Sequence, residues 1–122
     1  MSSLDDIDII YGESMHLLIV NFQLNELSSA AYAAHCAQVA PVFAGLPGLI
    51  AKYWLANPVT NTYGGVYLWQ NQTAMERYRT SDLCQRIAAN PHFINVTMQN
   101  FAVLPEPSTI THGIVETLKT AA

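Results

Sequence analysis

Charge is what this chain has least of. Its 122 residues include 5 that are Lys or Arg and 9 that are Asp or Glu, so 11% are charged, against about 25% in average soluble proteins. The basic residues form no run and the net charge is −4, which argues against a nucleic-acid surface. A small monomer normally spreads charge over its surface. The deficit therefore predicts an apolar face covered by a partner, most simply by a second copy of the chain.

Long apolar runs and cysteines are also scarce. No apolar segment approaches the roughly 20 residues that a bilayer requires, so we expect no membrane association. The first residues, Met-Ser-Ser-Leu-Asp-Asp, are acidic where a signal peptide would be basic, which predicts a cytoplasmic protein. The two cysteines, Cys36 and Cys84, lie in predicted helices among apolar neighbours, and this favours buried thiols over a disulfide.

The length and the hydrophobic pattern predict one small domain of the α+β class. We expect a single domain over residues 1–122, with a core at about 15–104, an N-terminal arm at 1–14 and a C-terminal extension at 105–122. Within the extension, residues 108–115 have strand character. The core pattern predicts strands at 15–23, 49–56, 62–69 and 95–104, a helix at 29–44, and two short helical segments at 73–79 and 83–89.

The order β-α-β-β-α-β is that of a ferredoxin-like fold, an antiparallel sheet with its helices on one face. The opposite face of such a sheet must also be hidden from water. Two sheets packed face to face would hide both, which predicts a homodimeric α+β barrel.

Local signals mark the ends of the predicted helices. Ser28 or Ser29 can cap the first helix, and Pro41 removes a backbone donor, so the last turn should be kinked or separated. Thr73 with Glu76 fits a capping box for the second helical region.

The segment at 46–70 holds both tryptophans and three of the six tyrosines. Trp54, Tyr67 and Trp69 could form flat walls around a planar ligand, and packing at a dimer core would explain them equally well. Lys52 shares a strand face with Trp54. We expect this lysine at the rim or paired with a carboxylate rather than acting as a base.

Two further features of the strands restrict the interpretation. Gly64-Gly65 follows no strand-to-helix turn and predicts a bulge or a close backbone approach, not a phosphate loop. Asn21 is an amide in an otherwise apolar strand, and a buried amide must be hydrogen-bonded to protein, water or ligand.

One pattern of residues resembles a known family. It consists of Pro47-Gly48-Leu49, Lys52 and Trp54, Gly64-Gly65-Val66-Tyr67-Leu68, an Ala74-centred helix start, and Tyr78. This pattern resembles the YdhR-like family of proposed monooxygenases, within the dimeric α+β barrel superfamily. The resemblance implies the fold and the dimer. It implies the activity only loosely, because the superfamily includes cofactor-free monooxygenases, haem-degrading enzymes, isomerases and proteins without a known reaction.

Comparison with the haem-degrading branch of the superfamily implies that no haem is bound. Those enzymes use an asparagine on the first strand and an aromatic residue on the second helix, and Asn21 and Tyr78 are similar to these. Their iron-ligating histidine falls on Ala88 here, and alanine cannot bind iron. His92 lies one turn later, but beyond Pro91. We therefore expect no cofactor.

The four histidines show no metal-ligand spacing, so we expect no metal site. His35 borders the apolar stripe of the first helix, and His92 follows the second helical region. Either could take a phenolic proton near pH 7 if it faced a cavity, and a purely structural role is the alternative for each.

These observations lead to one functional hypothesis and two alternatives. The hypothesis is a cofactor-independent monooxygenase that oxidises a small aromatic or polycyclic phenol with O2. Asn21, Tyr78 and Trp69 would position the substrate, and His35 or His92 would transfer its proton. The alternatives are a non-catalytic small-molecule-binding or stress-related barrel protein, and a structural dimer whose aromatic residues form the core.

Overall fold

The computed structural model describes residues 14–113 of the chain. The predicted N-terminal arm, apart from Ser14, and residues 114–122 of the predicted extension lie outside this range. None of the helices between residues 14 and 113 is long and apolar enough to cross a bilayer. The elements are β1 (His16–Leu24), α1 (Ser29–Ala44), β2 (Leu49–Asn57), β3 (Thr62–Trp69), α2 (Gln72–Arg79), α3 (Asp82–Ala88), β4 (Phe93–Ala102) and α4 (Pro105–Ile110).

The four strands form one antiparallel sheet in the order β2-β3-β1-β4. Val20 in the middle of β1 lies opposite Gly65 of β3 on one side and Met98 of β4 on the other. This arrangement confirms the predicted α+β class and the β-α-β-β-α-β order. The second helical position is occupied by two short helices, as the sequence predicts.

Side chains alternate between two environments along β1. His16, Leu18, Val20, Phe22 and Leu24 are buried, and the residues between them are half-buried. The apolar members of the buried set belong to the same core cluster as residues of α1, α2 and α3. One face of the sheet therefore carries the helices, as expected for an element that buries apolar side chains on one side.

The opposite side of the sheet, called here the helix-free face, is apolar but uncovered by any helix of the described chain. Tyr53 and Phe101, which lie on it, are 62% and 49% exposed. The strand registers place the following apolar residues on this face: Leu17, Ile19, Tyr53, Leu55, Val66, Leu68 and Phe101.

Helix α1 begins and ends where predicted, but its last turn is not separated from the rest. The Ser28 hydroxyl accepts a hydrogen bond from the Ala31 amide at 3.0 Å, which makes Ser28 the N-cap. The last turn is expected to be kinked or separated at Pro41, and the separation is wrong, because residues Ser29–Ala44 form one continuous helix. Pro41 lies so near the C-terminus that few intrahelical bonds depend on it, and the Gly45 amide closes the end by bonding to Val42.

Two other local predictions are corrected. Helix α2 is capped by Asn71, whose side-chain oxygen accepts from the Ala74 amide at 2.9 Å, not by a capping box at Thr73. The predicted strand character from residue 108 is also wrong up to residue 113, since α4 occupies Pro105–Ile110 and a turn follows it, while residues 114 and 115 lie outside the described residues. Proline suits the first turn of a helix, where its missing N–H is not needed, and cannot donate to a sheet ladder.

The Gly64-Gly65 pair marks a close backbone approach in the middle of the sheet. Gly64 has φ of +146°, and a Cβ there would lie 1.8 Å from the carbonyl oxygen of Val20 on β1. No register shift occurs at this point of β3. The first glycine is therefore required for β1 and β3 to pair through the centre of the sheet.

We expect Gly64→Ala to lower the free energy of unfolding by about 3 kcal/mol, because the methyl group meets backbone and the φ angle disfavours any side chain. Urea denaturation measures the change. Gly45→Ala is the matched control, since its Cβ would find its nearest neighbour at 3.7 Å, and it should change stability by less than about 1 kcal/mol. Equal effects of the two substitutions would contradict this account.

Candidate functional site

A layer of stacked aromatic rings fills the space between the sheet and α2. Trp69 is fully buried, lies nearly parallel to Tyr67 with ring centroids 6.1 Å apart, and stacks on Tyr78 at 5.3 Å. The hydroxyls of Tyr67 and Tyr78 are hydrogen-bonded at 3.2 Å. Because the chain's own helices cover these rings, they are not the contact between two subunits. Aromatic packing at the dimer core therefore does not explain Tyr67 and Trp69.

Burial keeps the phenols of this layer protonated. It raises the pKa of Tyr67 to about 12, against a smaller lowering effect of the hydrogen bond to Tyr78. Burial, with the neighbouring Tyr67 adding to it, also raises the pKa of Tyr78. Near neutral pH both groups are therefore neutral hydrogen-bonding groups and form a rigid wall.

A cavity with two adjoining parts lies beside this layer, between α1 and the sheet. The inner chamber has a volume of about 40 Å³, and the outer cleft has about 250 Å³. The two parts share His35, Val39, Phe43, Ile87 and Phe93. The inner chamber is further lined by Phe22, Tyr32, Cys36, Lys52, Trp54, Gly64 and Tyr67.

Lys52 extends into the inner chamber and lies against three aromatic rings. Its Nζ is 3.4 Å from the ring centroid of Trp54, 3.5 Å from that of Phe43 and 4.4 Å from that of Tyr67. No carboxylate between residues 14 and 113 lies within ion-pair distance of it. The expectation that Lys52 pairs with a carboxylate is therefore wrong. Its side chain is half-buried and also lines a cleft of about 320 Å³ between the end of α1 and β2, so its reaching the rim stays a prediction.

The charge of the Lys52 amine depends on burial, which favours the neutral amine, and on neighbouring groups that favour the ammonium. Burial lowers its pKa from 10.5 to about 7, and the Cys36 thiol, as a thiolate, would oppose this. The electron-rich ring faces also favour the ammonium, by about 0.5–2 kcal/mol for each well-placed ring. The amine is thus able both to accept and to donate a proton at neutral pH, which an ordinary surface lysine cannot do.

The second glycine of the pair makes room for this lysine. A Cβ at Gly65 would lie 2.9 Å from Cε of Lys52 and 3.3 Å from Cε1 of Tyr67. The lysine stem therefore crosses β3 directly above a residue that has no side chain. One sequence signal could have identified the site. Lys52 and Trp54 share a strand face, and the neighbouring strand carries a glycine opposite Trp54.

Three of the predicted site residues line the cavity. Trp54 and Tyr67 form walls of the inner chamber, and His35 lines both parts. Trp69 and Tyr78 pack against the ring of Tyr67 and line neither part of the cavity. Five of the predicted residues are therefore close together: three line the cavity, and two support the wall that Tyr67 forms.

Two predicted residues lie elsewhere. Asn21 is on the helix-free face, where its amide is 3.5 Å from the carbonyl oxygen of Tyr63. His92 is exposed, and its Nδ1–H donates to the backbone oxygen of Asn25 at 2.9 Å. Neither can touch a ligand held between the helices and the sheet of the same chain. Ala88, the position compared with a haem ligand, is exposed on α3.

The two cysteines lie in helices, Cys36 in α1 and Cys84 in α3. Cys36 and Cys84 are free, Cys84 being buried and Cys36 half-buried. Burial raises the pKa of Cys84. Across residues 14–113, no three His, Cys, Asp or Glu side chains converge as a metal site would require.

The fold of this chain recurs in solved structures. A protein of unknown function from Nitrosomonas europaea superposes with a TM-score of 0.62 at 14% identity, over 76% of this chain and 92% of that one. SnoaB, a cofactor-independent oxygenase from Streptomyces nogalater, does so with 0.59 at 19%, over 76% and 99%. A possible oxidoreductase from Bacteroides thetaiotaomicron gives 0.59 at 15%, over 75% and 99%. At these identities the likeness establishes the fold.

The sequence itself identifies the family. The family model described as "Putative mono-oxygenase ydhR" matches residues 17–114, so the chain belongs to the ydhR family, and the resemblance seen in the sequence is confirmed. No curated protein matches the chain.

Lys52 should make the stability of the protein depend on pH. Its pKa is about 7 in the folded chain and 10.5 ordinarily, so between these values the unfolded chain binds more protons and the free energy of unfolding rises with pH. Lys52→Met should abolish this rise and be more stable than the wild type at pH 7. Urea midpoints between about pH 7 and 8 measure it.

The window stops there because burial raises the pKa of the Cys84 thiol above its ordinary 9.0 and the pKa of Tyr67 above its ordinary 10, so these groups reduce stability once the pH approaches those ordinary values. Arg86→Met, which removes an exposed cation from α3, is the control and should keep the wild-type slope. An unchanged slope in Lys52→Met would show that the amine is not buried in solution.

Proposed function

We propose that this member of the ydhR family is a cofactor-independent monooxygenase that oxidises a small aromatic or polycyclic phenol with O2. The observation that carries the proposal is the cavity between α1 and the sheet, which has aromatic walls and one ionisable amine at its inner end. Flat apolar walls with few polar groups suit a planar aromatic ligand. The fold is also that of SnoaB, which is named a cofactor-independent oxygenase.

The proposed reaction needs little from the protein beyond binding and charge control. A phenol and O2 give a quinone and water: the ring supplies four electrons, one oxygen atom enters the product and the other leaves as water. The substrate must first lose its hydroxyl proton, because the electron-rich anion is what reacts with oxygen. The protein then needs to exclude water, stabilise the anion and admit O2.

The lining residues suggest a role for each part of the site. Trp54 and Tyr67 would contact the flat face of the substrate, while Trp69 and Tyr78 hold Tyr67 in position. His35 is the histidine that lines the cavity, and it would pass protons between the cavity and solvent. Asn21 and His92 take no part in this proposal because of where they lie.

Oxygen uptake with a panel of anthrones and hydroquinones tests the function. We expect turnover without added metal, flavin or haem, and a loss of at least about tenfold in kcat/KM for Trp54→Ala, equivalent to about 1.4 kcal/mol. Val59→Ala, at a turn position that is 95% exposed, should be unaffected. Fluorescence quenching by the same compounds without any oxygen uptake would instead support a binding protein.

We also propose that the functional unit is a homodimer in which two helix-free faces pack together. The support is the apolar character of this face, with Tyr53 and Phe101 widely exposed in the single chain, and the low charge content of 11%. Monomeric proteins rarely leave so continuous an apolar surface in water. A second copy would cover it through a self-complementary contact.

Sedimentation of the wild type should give twice the 13.4 kDa chain mass. Val66→Glu places a charge at the centre of the helix-free face, between Ile19 and Tyr53, and should shift the protein to monomers because a buried unpaired charge is unfavourable. Val59→Glu makes the same chemical change at a 95% exposed position and should remain dimeric. A monomeric wild type would refute the dimer.

A further inference from the structure

The inner chamber presents one amine to an otherwise apolar and aromatic space. The titratable groups that face it are Tyr32, His35 and Cys36 from α1 and Tyr67 from β3, whereas α3 and β4 contribute Ile87 and Phe93. No carboxylate of the described chain accompanies the amine. Among the described residues the amine contacts three ring faces but no counterion. A ligand that becomes an anion beside it would supply that counterion.

We propose that Lys52 is the catalytic residue that accepts the hydroxyl proton of the substrate and holds the resulting aryl oxide as an ion pair, so that the substrates are hydroxyarenes that enter hydroxyl first. In this step the O–H bond breaks, its electron pair stays on oxygen, and a new N–H bond forms at Nζ. The inference rests on the proposed function and deepens it.

The shape of the cavity supports this orientation. An inner chamber of about 40 Å³ has room for a hydroxyl group or a water molecule but not for a ring, whereas the outer cleft of about 250 Å³ can hold a small ring system. A hydroxyarene would therefore place its oxygen beside Lys52 and its rings between α1 and α3. Both partners can enter the apolar chamber uncharged, and the charges arise only as a pair.

The rings around the amine favour the product of the proton transfer. Nζ lies within 4.4 Å of three ring centroids, and ring faces attract an ammonium more than a neutral amine. The other candidates near the chamber are less suited. Burial raises the pKa of Tyr32 and Tyr67, so both stay protonated and cannot accept. His35 is exposed at the boundary of the two parts, farther out than the hydroxyl would lie.

The proton transfer can be observed without any oxidation by using 4-nitrophenol, whose ionised form absorbs at longer wavelength than the neutral form. At a pH below the midpoint of the free compound, the wild type should bind it as the anion and develop the long-wavelength band. Lys52→Met should lose the band and bind the anion at least about tenfold more weakly. Arg77→Met, which removes an exposed cation of α2 that lines neither part of the cavity, should keep the band.

The same probe separates Lys52 from the histidine. The band should survive in His35→Ala, since His35 does not receive the hydroxyl proton. Loss of the band in His35→Ala together with its survival in Lys52→Met would overturn the proposal, as would binding of 4-nitrophenol only in its neutral form.

A direct titration of the amine gives a second readout. The chain has two lysines, Lys52 and Lys119, so spectra of protein labelled with [15N]lysine contain two side-chain signals, and Lys119→Arg assigns them. The Lys52 signal should titrate near pH 7 in the free protein and at a higher pH when 4-nitrophenol is bound. A midpoint near the ordinary 10.5 in the free protein would contradict the assigned role.

The outcomes distinguish this proposal from the function on which it rests. If no compound of the panel is oxidised but 4-nitrophenol is ionised in a Lys52-dependent way, the hydroxyarene site stands and the oxygenase does not. If oxygen uptake continues in Lys52→Met with the same rate and pH profile, the oxygenase stands and the role of Lys52 is overturned.

Discussion

The packing of the stacked aromatic layer against the central strands is the interaction on which the rest of this structure depends. Trp69, Tyr67 and Tyr78 cover the helix side of the sheet and are held in place by α2. These large rings supply much of the buried apolar area, which stabilises a small domain at about 25 cal/mol per Å². Their rigidity also defines one wall of the cavity, so the same contacts that stabilise the fold shape the site.

The site depends on the two glycines of β3, which lie next to this aromatic layer. Gly64 lets β1 and β3 approach closely. Gly65 leaves space for the stem of Lys52, which passes over β3 and places its amine against the rings of Trp54 and Phe43. An amine in such a place loses hydration without gaining a carboxylate, and its pKa falls to about 7. The chemistry we propose uses that property: a base that is neutral when the substrate enters and charged when the anion has formed.

Much of the fold could be predicted from the sequence because its signals are local and strong. Strand β3 was predicted at its observed limits, and α1 from its serine cap to its last residue. The errors arose where one residue has more than one possible effect. Pro41 can break a helix or be accommodated in its last turn. Pro105 can follow a strand or begin a helix. Neighbouring contacts decided both, and a propensity cannot include them.

The sequence by itself determined which side chains share a strand face, because side chains along a strand alternate with a period of two. It also determined the family. Which face of the sheet receives the helices was decided only by the tertiary structure. Both sets of residues on β1 are largely apolar, so the alternation could not tell the core side from the side left for a partner. That choice placed Asn21 outside the cavity and Lys52 inside it, because burial depends on what packs above a residue and not on its neighbours in the chain.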